Sequence, residues 1–474
     1  MDAAGVVPAA INFDEGKIVS NRWRIEKRLG IGAYGVVYQV ADLSRSNSMA
    51  ALKVEVNGQE EGGMLKIEAE VLKRLETRPN TIRLFQAGKR PEYSFLAITL
   101  CGADLVKLRE THKLSKFSES TTLRIGVHCL YSIKQLHECG YVHRDIKPAN
   151  CLLGSTDFDS RMFYIVDFGM VRQYAYWDTK RWTTRRPRKR VSRNHRKLKI
   201  LQVLLRGTPL YCSTNVHKRM EQGRVDDLWS LVYTLIELRA GLPWAKVERE
   251  DLMLVRKENY DEGKHLKDEL SALIEIIRHL KTLGYLDRPD YKFIYDTLMK
   301  SIRDKQIRFT DNYDWEKEIV SRPLEQQQVD IANLEVKTPP LSPNDDAAAN
   351  LLIAKGTLTA AENIDSKSVD KNQDQQATEQ TNHELHSAQL TTLDPNPKPP
   401  PNSTASDQKD TKEQNSAHHR EIRRIKKLTD PKQIEEAEEK LYPTIAAHHY
   451  DPQPFDVPSG TVVSGSSTRR RAHS

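Results

Sequence analysis

The chain has 474 residues and a formal net charge of +8 at pH 7. This length allows one large domain, or a two-lobed domain followed by a tail. The five cysteines are scattered without a CxxC pair and no run of 18 apolar residues occurs, which argues against a disulfide framework, a zinc site and a membrane-spanning helix.

Aromatic residues and charge both divide the chain near residue 316. Residues 316–474 hold 19 Lys/Arg and 25 Asp/Glu, so with +8 overall the first 315 residues carry about +14. No Phe, Tyr or Trp occurs from Glu316 to Leu441. Such a segment buries too little apolar surface to offset its chain entropy, so we expect residues 319–474 to be a largely disordered tail. The basic domain before it favours acidic substrates or partners, although a generally basic, solvated surface would give the same count.

In the first hundred residues, short apolar runs separated by turns predict a small lobe of five strands and one helix. The expected strands are Asn21–Gly30, Val36–Asp42, Ala50–Val56, Thr81–Gly88 and Tyr93–Leu100. The helix is expected over Gly63–Glu76, where apolar residues recur at helical spacing and Glu68 shares their face. Because a carboxylate on an apolar face is costly to bury alone, Glu68 needs a cation opposite it.

Helical patterns dominate after Gly102, which is a candidate hinge residue. A long helix is expected over Ser118–Glu138 and a strongly apolar one over Asp226–Ala240, with the domain closing near Trp315. We therefore predict a flexible N-terminus at 1–20 and a domain at 21–318. Its small lobe covers about 21–101 and its larger helical lobe about 102–318.

One stretch of the tail has a helix-start signal. Thr429 and Asp430 precede Pro431 and an acidic, partly apolar run, so a short helix over 430–441 is predicted. Three interpretations stay open: the helix docks on a partner, it docks on the preceding domain, or it forms transiently and has no further role.

A glycine-rich turn lies between the first two predicted strands. Its pattern is GxGxxGxV, and glycines there let backbone N–H groups approach phosphate oxygens closely. A dinucleotide-binding turn of similar spacing would open a helix, whereas a strand follows here, which favours a hairpin over a nucleotide. The candidate phosphate-binding residues are Gly30, Ile31, Gly32, Ala33, Tyr34, Gly35 and Val37.

Lys53 lies on the third predicted strand, and Glu68 follows it on the predicted helix. A lysine that binds the α- and β-phosphates of ATP and pairs with a helix glutamate occupies such a position. A surface salt bridge is the alternative for any Lys/Glu pair, and the flanking motifs disfavour it here.

The run HRDIKPAN at His143–Asn150 places Asp145 22 residues before Asp167 of an Asp-Phe-Gly triplet. This order and spacing is typical of a protein kinase. Asp145 is the candidate base for an acceptor hydroxyl, and Lys147 would stabilise the γ-phosphate. Asn150 and Asp167 would hold Mg²⁺, because a hard cation prefers oxygen ligands.

The same loop indicates the type of acceptor. Lys147, two residues after the candidate base, is the arrangement of serine/threonine kinases, whereas tyrosine kinases place Ala or Arg nearby. Thr208 would cap the same site. We therefore expect transfer to Ser or Thr.

Together these residues resemble the casein kinase I superfamily, most closely its tau-tubulin kinase-like branch, over roughly residues 20–318. The specific matches are Val142–Asn150, Val166–Gly169, Arg206–Thr208, Gly223–Leu231, and Tyr211–His217 in place of the usual APE motif. The resemblance implies an α+β, bilobal protein-kinase fold, use of ATP and Mg²⁺, and protein substrates with Ser/Thr acceptors. It also implies that Ala51 and Leu100 contact the nucleotide and that Ile98 is the gatekeeper residue beside the hinge Thr99–Gly102.

The chain departs from that family in two places. Leu210 stands where the family has an arginine that helps to read an already phosphorylated substrate, so recognition by that route is in doubt. Between Asp178 and Thr208 there are twelve Lys/Arg and no acidic residue. We expect this basic activation segment to attract acidic or cytoskeletal substrates. A nuclear localisation signal and a solvated insertion without a partner are the rival interpretations.

The leading hypothesis is an active serine/threonine protein kinase, because no catalytic group is missing. The alternative is a catalytically weak, pseudokinase-type scaffold that binds partners through its basic segment and tail. The N-terminus has no basic n-region or apolar core, so no signal peptide is expected. We expect a monomer in the cytoplasm, with the nucleus as a second location, and no membrane or nucleic-acid partner.

Overall fold

The computed structural model describes residues 11–32, 35–57, 63–156, 159–178, 181–188, 207–316 and 417–451. The strands are β1 (Ile18–Val19), β2 (Trp23–Gly32), β3 (Gly35–Asp42), β4 (Ser48–Val56), β5 (Leu84–Lys89), β6 (Tyr93–Thr99), β7 (Cys101–Asp104), β8 (Tyr141–Val142), β9 (Cys151–Gly154), β10 (Phe163–Ile165), β11 (Arg172–Gln173), β12 (Ala175–Asp178) and β13 (Arg181–Thr184). The helices are α1 (Met64–Leu75), α2 (Leu105–Thr111), α3 (Glu119–Glu138), α4 (Thr214–His217), α5 (Arg224–Arg239), α6 (Glu250–Glu258), α7 (Glu262–Leu266), α8 (Ala272–Lys281), α9 (Tyr291–Asp304), α10 (417–426) and α11 (Pro431–Leu441).

The small lobe is an antiparallel sheet with one helix beside it. Within the described residues its strand order is β1-β2-β3-β4-β6-β5, which is six strands where five were predicted. The additional strand, β1, has two residues and pairs with Trp23 and Arg24, so it is too short to give an alternating sequence pattern. Helix α1 buries Leu65, Leu72 and Leu75 against the sheet and thereby turns Glu68 inward.

The hinge between the lobes is fixed by a strand ladder. Strand β7 follows β6 after a single residue and pairs with β9, with Cys101 opposite Gly154 and Asp104 opposite Leu152. Asp104 then caps α2 by accepting hydrogen bonds from the backbone N–H groups of Val106 and Lys107. The segment that joins the lobes is therefore hydrogen-bonded to the strand that follows the HRD motif.

Helix α3 is the centre of the large lobe. Ser118 caps it by accepting from the backbone N–H of Thr121, and nearly all its residues are buried. A helix buried on all sides must be covered by neighbours all round, and α5 and α9 cover two of its faces. No helix among the described residues has both the length and the apolar character needed to cross a membrane.

The segment 417–451 covers another part of the large lobe. Its helix α11 begins at the predicted signal, where Asp430 accepts from the backbone N–H of Lys432. After α11, Tyr442, Ile445 and Tyr450 are buried to 2% exposure or less and belong to the main hydrophobic core. Of the three interpretations left open for this helix, the structure has it docked on the preceding domain.

The docked segment contacts α3 and α9 through aromatic rings and hydroxyl groups. The rings of Tyr295 and Tyr450 stack with centroids 4.2 Å apart. The Tyr295 hydroxyl donates to the Ile445 carbonyl at 2.6 Å, and the Tyr450 hydroxyl donates to the Val127 carbonyl at 3.1 Å. Buried tyrosines with paired hydroxyls contribute both apolar area and directional bonds, so this contact has a defined register.

A buried carboxylate adds polar specificity to the docking. The Glu438 side chain accepts hydrogen bonds from the backbone N–H of Phe309 at 3.1 Å and of Thr310 at 2.8 Å. It also accepts from the Thr310 hydroxyl at 2.8 Å. Three donors for two oxygens leave little room for any other side chain at this position.

We predict that Glu438→Gln destabilises the protein by about 1–3 kcal/mol, because an amide has one acceptor oxygen where the carboxylate has two. Urea denaturation at pH 7 measures the difference in the free energy of unfolding between this variant and the wild type. Glu436→Gln is the matched control, since Glu436 lies on the exposed face of the same helix. Equal effects of the two substitutions would contradict a docked α11.

His128 of α3 gives the docking a pH dependence. Its Nδ1 lies 2.8 Å from the Thr444 hydroxyl, and burial, helped by the nearby charges of Arg124 and Arg161, lowers its pKa to about 3. Below its ordinary value of 6.5 the unfolded chain therefore binds a proton that the folded chain does not, and stability falls as the pH drops towards 3.

We expect the wild type to lose about 1 kcal/mol more than His128→Gln when urea denaturation at pH 7.5 is repeated at pH 5.5. The glutamine keeps a polar group for Thr444 but does not titrate. His112→Gln, at an exposed position, should keep the wild-type pH dependence. The idea fails if His128→Gln is as sensitive to pH as the wild type.

Candidate functional site

A cavity of about 520 Å³ lies between the lobes and brings most of the predicted site residues together. Its lining includes Gly30, Gly32, Gly35, Val37, Ala51, Lys53, Glu68, Ile98, Leu100, Asp145, Lys147 and Asp167. Ile31 is 62% exposed, and Asn150 is buried behind Asp145. Ala33 and Tyr34 were also predicted to bind phosphate, and they fall outside the residues that the structure describes.

The inner end of the cavity has apolar walls. Val37 and Ala51 lie on the small-lobe side, Ile98 at the back, and Leu152 and Val166 on the large-lobe side. A flat slot with apolar walls, next to the backbone groups of a hinge, suits a planar heterocycle such as adenine. Sequence reasoning did not select Leu152 or Val166, although each lies within two residues of a predicted metal ligand.

The glycine-rich hairpin requires glycine at Gly35 in particular. A Cβ built there would stand 2.0 Å from the carbonyl oxygen of Val54 on β4. Gly35, at the start of β3, therefore lies directly against the neighbouring strand β4, and it lines the cavity. Backbone N–H groups presented in this way can bind phosphate oxygens.

Lys53 joins three elements of the site. Its ammonium group lies 2.7 Å from Glu68 Oε2 on α1 and 2.7 Å from Asp167 Oδ1. Glu68 is 1% exposed and also accepts from the backbone N–H of Phe168 at 3.3 Å. The predicted need of Glu68 for a cation is met by the predicted lysine, in a position where Lys53 can also reach phosphate oxygens.

Within this trio the Lys53 ammonium stabilises both carboxylates, which repel each other, and burial keeps the pKa of Glu68 above its ordinary value. Burial opposes the charge on Lys53, but the two carboxylates outweigh it and raise the pKa of the lysine. Burial likewise opposes ionisation of Asp167, and the Lys53 ammonium more than offsets it, so that the pKa of Asp167 lies below its ordinary value. Lys53 and Asp167 are therefore both charged at neutral pH.

Two site residues have left-handed backbone conformations. Arg144 has φ 71° and Asp167 has φ 67°. Such conformations cost roughly 1–3 kcal/mol each for residues other than glycine and persist only where neighbours enforce them. Here the neighbours are the Lys53 ion pair and the Arg144 guanidinium, which donates to the Met170 carbonyl at 2.6 Å.

Asp227 at the start of α5 holds the HRD loop from behind. It accepts from the backbone N–H groups of His143 at 2.6 Å and Arg144 at 2.8 Å. Its Oδ2 also lies 2.9 Å from Nε2 of His137 on α3. Burial works against its charge, but these partners hold the pKa of Asp227 below its ordinary value.

Asp145 projects into the cavity with both carboxylate oxygens engaged. Its Oδ2 accepts from Lys147 Nζ at 2.8 Å. Its Oδ1 accepts from the backbone N–H and the hydroxyl of Thr208, at 3.0 and 2.9 Å. Thr208 therefore caps the site, as the sequence predicted. A substrate hydroxyl that approached this carboxylate would compete with the Thr208 hydroxyl for it.

Gly207 allows Thr208 to reach Asp145. It has φ 99°, and a Cβ there would stand 2.3 Å from the Arg144 carbonyl oxygen. The end of the activation segment therefore passes in direct contact with the HRD backbone.

The donor set suits a divalent cation that is shared with phosphates. The Asn150 amide N–H₂ donates to the Asp145 carbonyl at 2.8 Å, which leaves the Asn150 amide oxygen as its ligand atom. Across the described ranges, no cluster of three or more His, Cys, Asp or Glu could hold a metal by itself. The Asn150 amide oxygen and the Asp167 carboxylate could hold such a cation, and this small set fits cations coordinated largely by substrate phosphates. A cation bound there would neutralise phosphate charge.

An apolar slot, a lysine held by a helix glutamate and a carboxylate beside a metal-ligand pair define a phosphotransferase of the protein-kinase type. Residues 23–289 match the protein kinase domain. The chain therefore belongs to the protein kinase domain family, whose members in general use ATP and a divalent metal.

Three relatives show the range of similarity. A Caenorhabditis elegans protein, provisionally named a serine/threonine-protein kinase, is 34% identical over 313 residues, 66% of this chain and 86% of the relative. A Dictyostelium discoideum protein with a similar provisional name is 32% identical over 308 residues, 65% of this chain and 59% of the relative. A C. elegans protein named an inactive tau-tubulin kinase is 32% identical over 263 residues, 53% of this chain and 87% of the relative.

We predict that Gly207→Ala lowers phosphate transfer at least about tenfold, because the methyl group would push Thr208 away from Asp145. Gly241→Ala is the matched control. Gly241 also has positive φ, at 77°, but a Cβ there meets no atom within 4 Å. Gly241→Ala should lose about 1 kcal/mol of stability, and Gly207→Ala should lose more because its Cβ must displace the Arg144 carbonyl. Only Gly207→Ala should lose activity in a phosphate-transfer assay. Similar activities for the two variants would show that this contact is dispensable.

Proposed function

We propose that this chain is an active serine/threonine protein kinase that transfers the γ-phosphate of Mg²⁺-bound ATP to protein substrates with acidic sequences. The substrate hydroxyl attacks the γ-phosphorus, its proton passes to Asp145, and ADP leaves. Lys53 binds the α- and β-phosphates, and Lys147 neutralises charge on the γ-phosphate during transfer. Asn150 and Asp167 hold the metal.

The observation that carries this proposal is the convergence of these groups on one cavity with their charges paired. Lys53 bonds both Glu68 and Asp167 at 2.7 Å, and Lys147 bonds Asp145 at 2.8 Å. Phosphoryl transfer needs positioning and charge neutralisation more than covalent chemistry, and this arrangement supplies both. The Lys147 position and the names of the relatives favour Ser or Thr as acceptor.

The preference for acidic substrates rests on the basic activation segment. Of its twelve basic residues, those at 181, 185, 186 and 188 are within the described residues, and the others lie outside them. Arg181, Arg185 and Arg186 are exposed, whereas Arg188 is engaged with a buried carboxylate. Exposed arginines on the segment that follows the Asp-Phe-Gly turn would attract acidic sequences, with a strength that falls as salt is added.

The scaffold alternative has one observation in its favour. One of the three relatives is named as inactive, so activity can be lost within this similarity range. In this chain the six groups Lys53, Glu68, Asp145, Lys147, Asn150 and Asp167 are all present. An assay of phosphate transfer by this protein therefore decides between the active kinase and the scaffold.

The test is transfer of radiolabel from γ-labelled ATP with Mg²⁺ to two peptides that share one serine, flanked by glutamates in one and glutamines in the other. We expect wild-type transfer with a preference for the glutamate peptide that weakens with added salt. Asp167→Asn should abolish transfer. The double change Arg181→Gln and Arg186→Gln should remove the preference and leave transfer to the glutamine peptide intact.

The control for that double change removes the same charge elsewhere, through Arg256→Gln and Lys267→Gln at exposed positions. An undiminished preference after the activation-segment change, or an equal loss in the control, would overturn the acidic-substrate proposal. Absence of transfer by folded wild type that binds ATP would favour the scaffold.

A further inference from the structure

Glu221 is a buried carboxylate in the loop before α5. Its side chain is 2% exposed and it holds two arginines. Its Oε1 lies 2.8 Å from Arg172 Nε, and its Oε2 lies 2.5 Å from Arg188 Nε. A second bond from Arg188 Nη2 to Oε1, at 3.2 Å, makes that pair two-pronged. Pairs of this geometry are stronger and more directional than single-contact ion pairs.

The two arginines come from different parts of the site. Arg172 lies on β11, directly after the Asp-Phe-Gly turn, and faces Val142 on β8 just before the HRD motif. Arg188 lies in the activation segment between β13 and Thr208. Glu221 therefore joins the activation segment to the strand that follows the metal-binding turn.

Neighbouring contacts hold the same stretch. The backbone N–H of Arg185 donates to the Tyr174 carbonyl at 2.7 Å, and its guanidinium donates to Gln173 Oε1 at 2.6 Å. The Tyr285 hydroxyl donates to the Arg185 carbonyl at 3.2 Å. These bonds place residues 185–188 along β11, while Glu221 supplies the negative charge in a strongly basic segment.

The negative charge of Glu221 stabilises the positive charges of the two arginines beside it. Burial lowers the pKa of Arg172, Glu221 opposes that effect, and Arg188 adds to it by repulsion. Without the carboxylate, two guanidinium groups would face each other in a partly buried site. Removal of one member of such a cluster leaves uncompensated charge, which costs much more than an exposed pair is worth.

We propose that Glu221 is a positioning residue for the peptide substrate, which acts by pairing Arg172 and Arg188 and so holding residues 185–188 against β11. In many kinases a phosphate on the activation segment orders it by pairing with arginines. Here the Glu221 carboxylate, rather than a phosphate, supplies the negative charge that pairs with the arginines. This inference rests on the proposed kinase function.

The test measures peptide KM, ATP KM and kcat for the wild type, Glu221→Gln, Arg188→Gln and the double variant. Glutamine keeps the shape of glutamate and removes its charge. We expect each single change to raise the peptide KM about tenfold and to leave the ATP KM within about twofold, since Lys53 and its partners are untouched. Because both changes break the same pair, the double variant should be no worse than the single ones.

Chemical rescue separates a charge role from a packing role. In Glu221→Ala, added sodium formate should recover at least about threefold in peptide turnover relative to the same concentration of sodium chloride, because the small carboxylate can occupy the vacated place between the arginines. Formate should not rescue Arg188→Gln. Glu250→Gln is the matched control, because Glu250 pairs with Arg219 outside the activation segment.

Three results would overturn the role of Glu221. They are an unchanged peptide KM in both single variants, effects that add in the double variant, and rescue by chloride that equals rescue by formate. Thermal melting of every variant is recorded beside the kinetics. If Glu221→Gln unfolds, Arg188→Gln decides the matter, because the Arg188 side chain is 31% exposed and its loss leaves the start of α5 untouched. Wild type without transfer would instead refute the proposed kinase function, so the two failures are distinguishable.

Discussion

The position of the Lys53 ammonium between two carboxylates is the constraint on which the site depends. The carboxylates come from α1 of the small lobe and from the Asp-Phe-Gly turn of the large lobe, so one cation fixes the lobes at the point where phosphates would bind. Two unit charges 2.7 Å apart interact by about 6 kcal/mol at an effective dielectric constant of about 20. Loss of Lys53 would leave both carboxylates without this partner, whereas loss of either carboxylate would leave Lys53 paired with the other.

A second constraint acts on the far side of the HRD loop. Asp227 fixes the loop backbone through two N–H groups and contacts His137, which belongs to α3. Helix α3 is in turn covered by the segment 417–451. The candidate base is therefore backed by a continuous series of buried contacts that reaches residues far along the chain. Its precise placement depends on helices that never touch a nucleotide.

Much of the small-lobe architecture and the start of α11 could be predicted because they leave local patterns. Alternating apolar and polar residues between glycine turns mark strands, but a strand of two residues such as β1 is too short to show this alternation. Asp430 before Pro431 marks a helix start. The position of Glu68 on an apolar face signals a buried partner, and the kinase-type motifs that flank Lys53 indicated it as that partner.

Other features have no local signature. Glu221 and Glu438 each lie in a polar stretch of sequence, and their burial depends on residues that are distant in sequence. The low aromatic content of the tail indicated disorder, yet Tyr442 and Tyr450 lie in the core of the large lobe. Two tyrosines more than a hundred residues beyond the domain change the average composition of the tail too little to indicate a buried segment. A contact made between such distant segments is visible only in the assembled fold.

The docked segment also has a consequence for synthesis of the chain. The face of α3 and α9 that it covers is complete at residue 316, but its cover, Tyr450, is added about 130 residues later. At ribosomal rates of about 5–20 residues per second, this interval lasts roughly 7–26 s. During that time an apolar surface of the nascent large lobe lacks this cover. Chaperone binding to ribosome-bound chains that end between residues 316 and 450, compared with longer chains, would show whether this window exists.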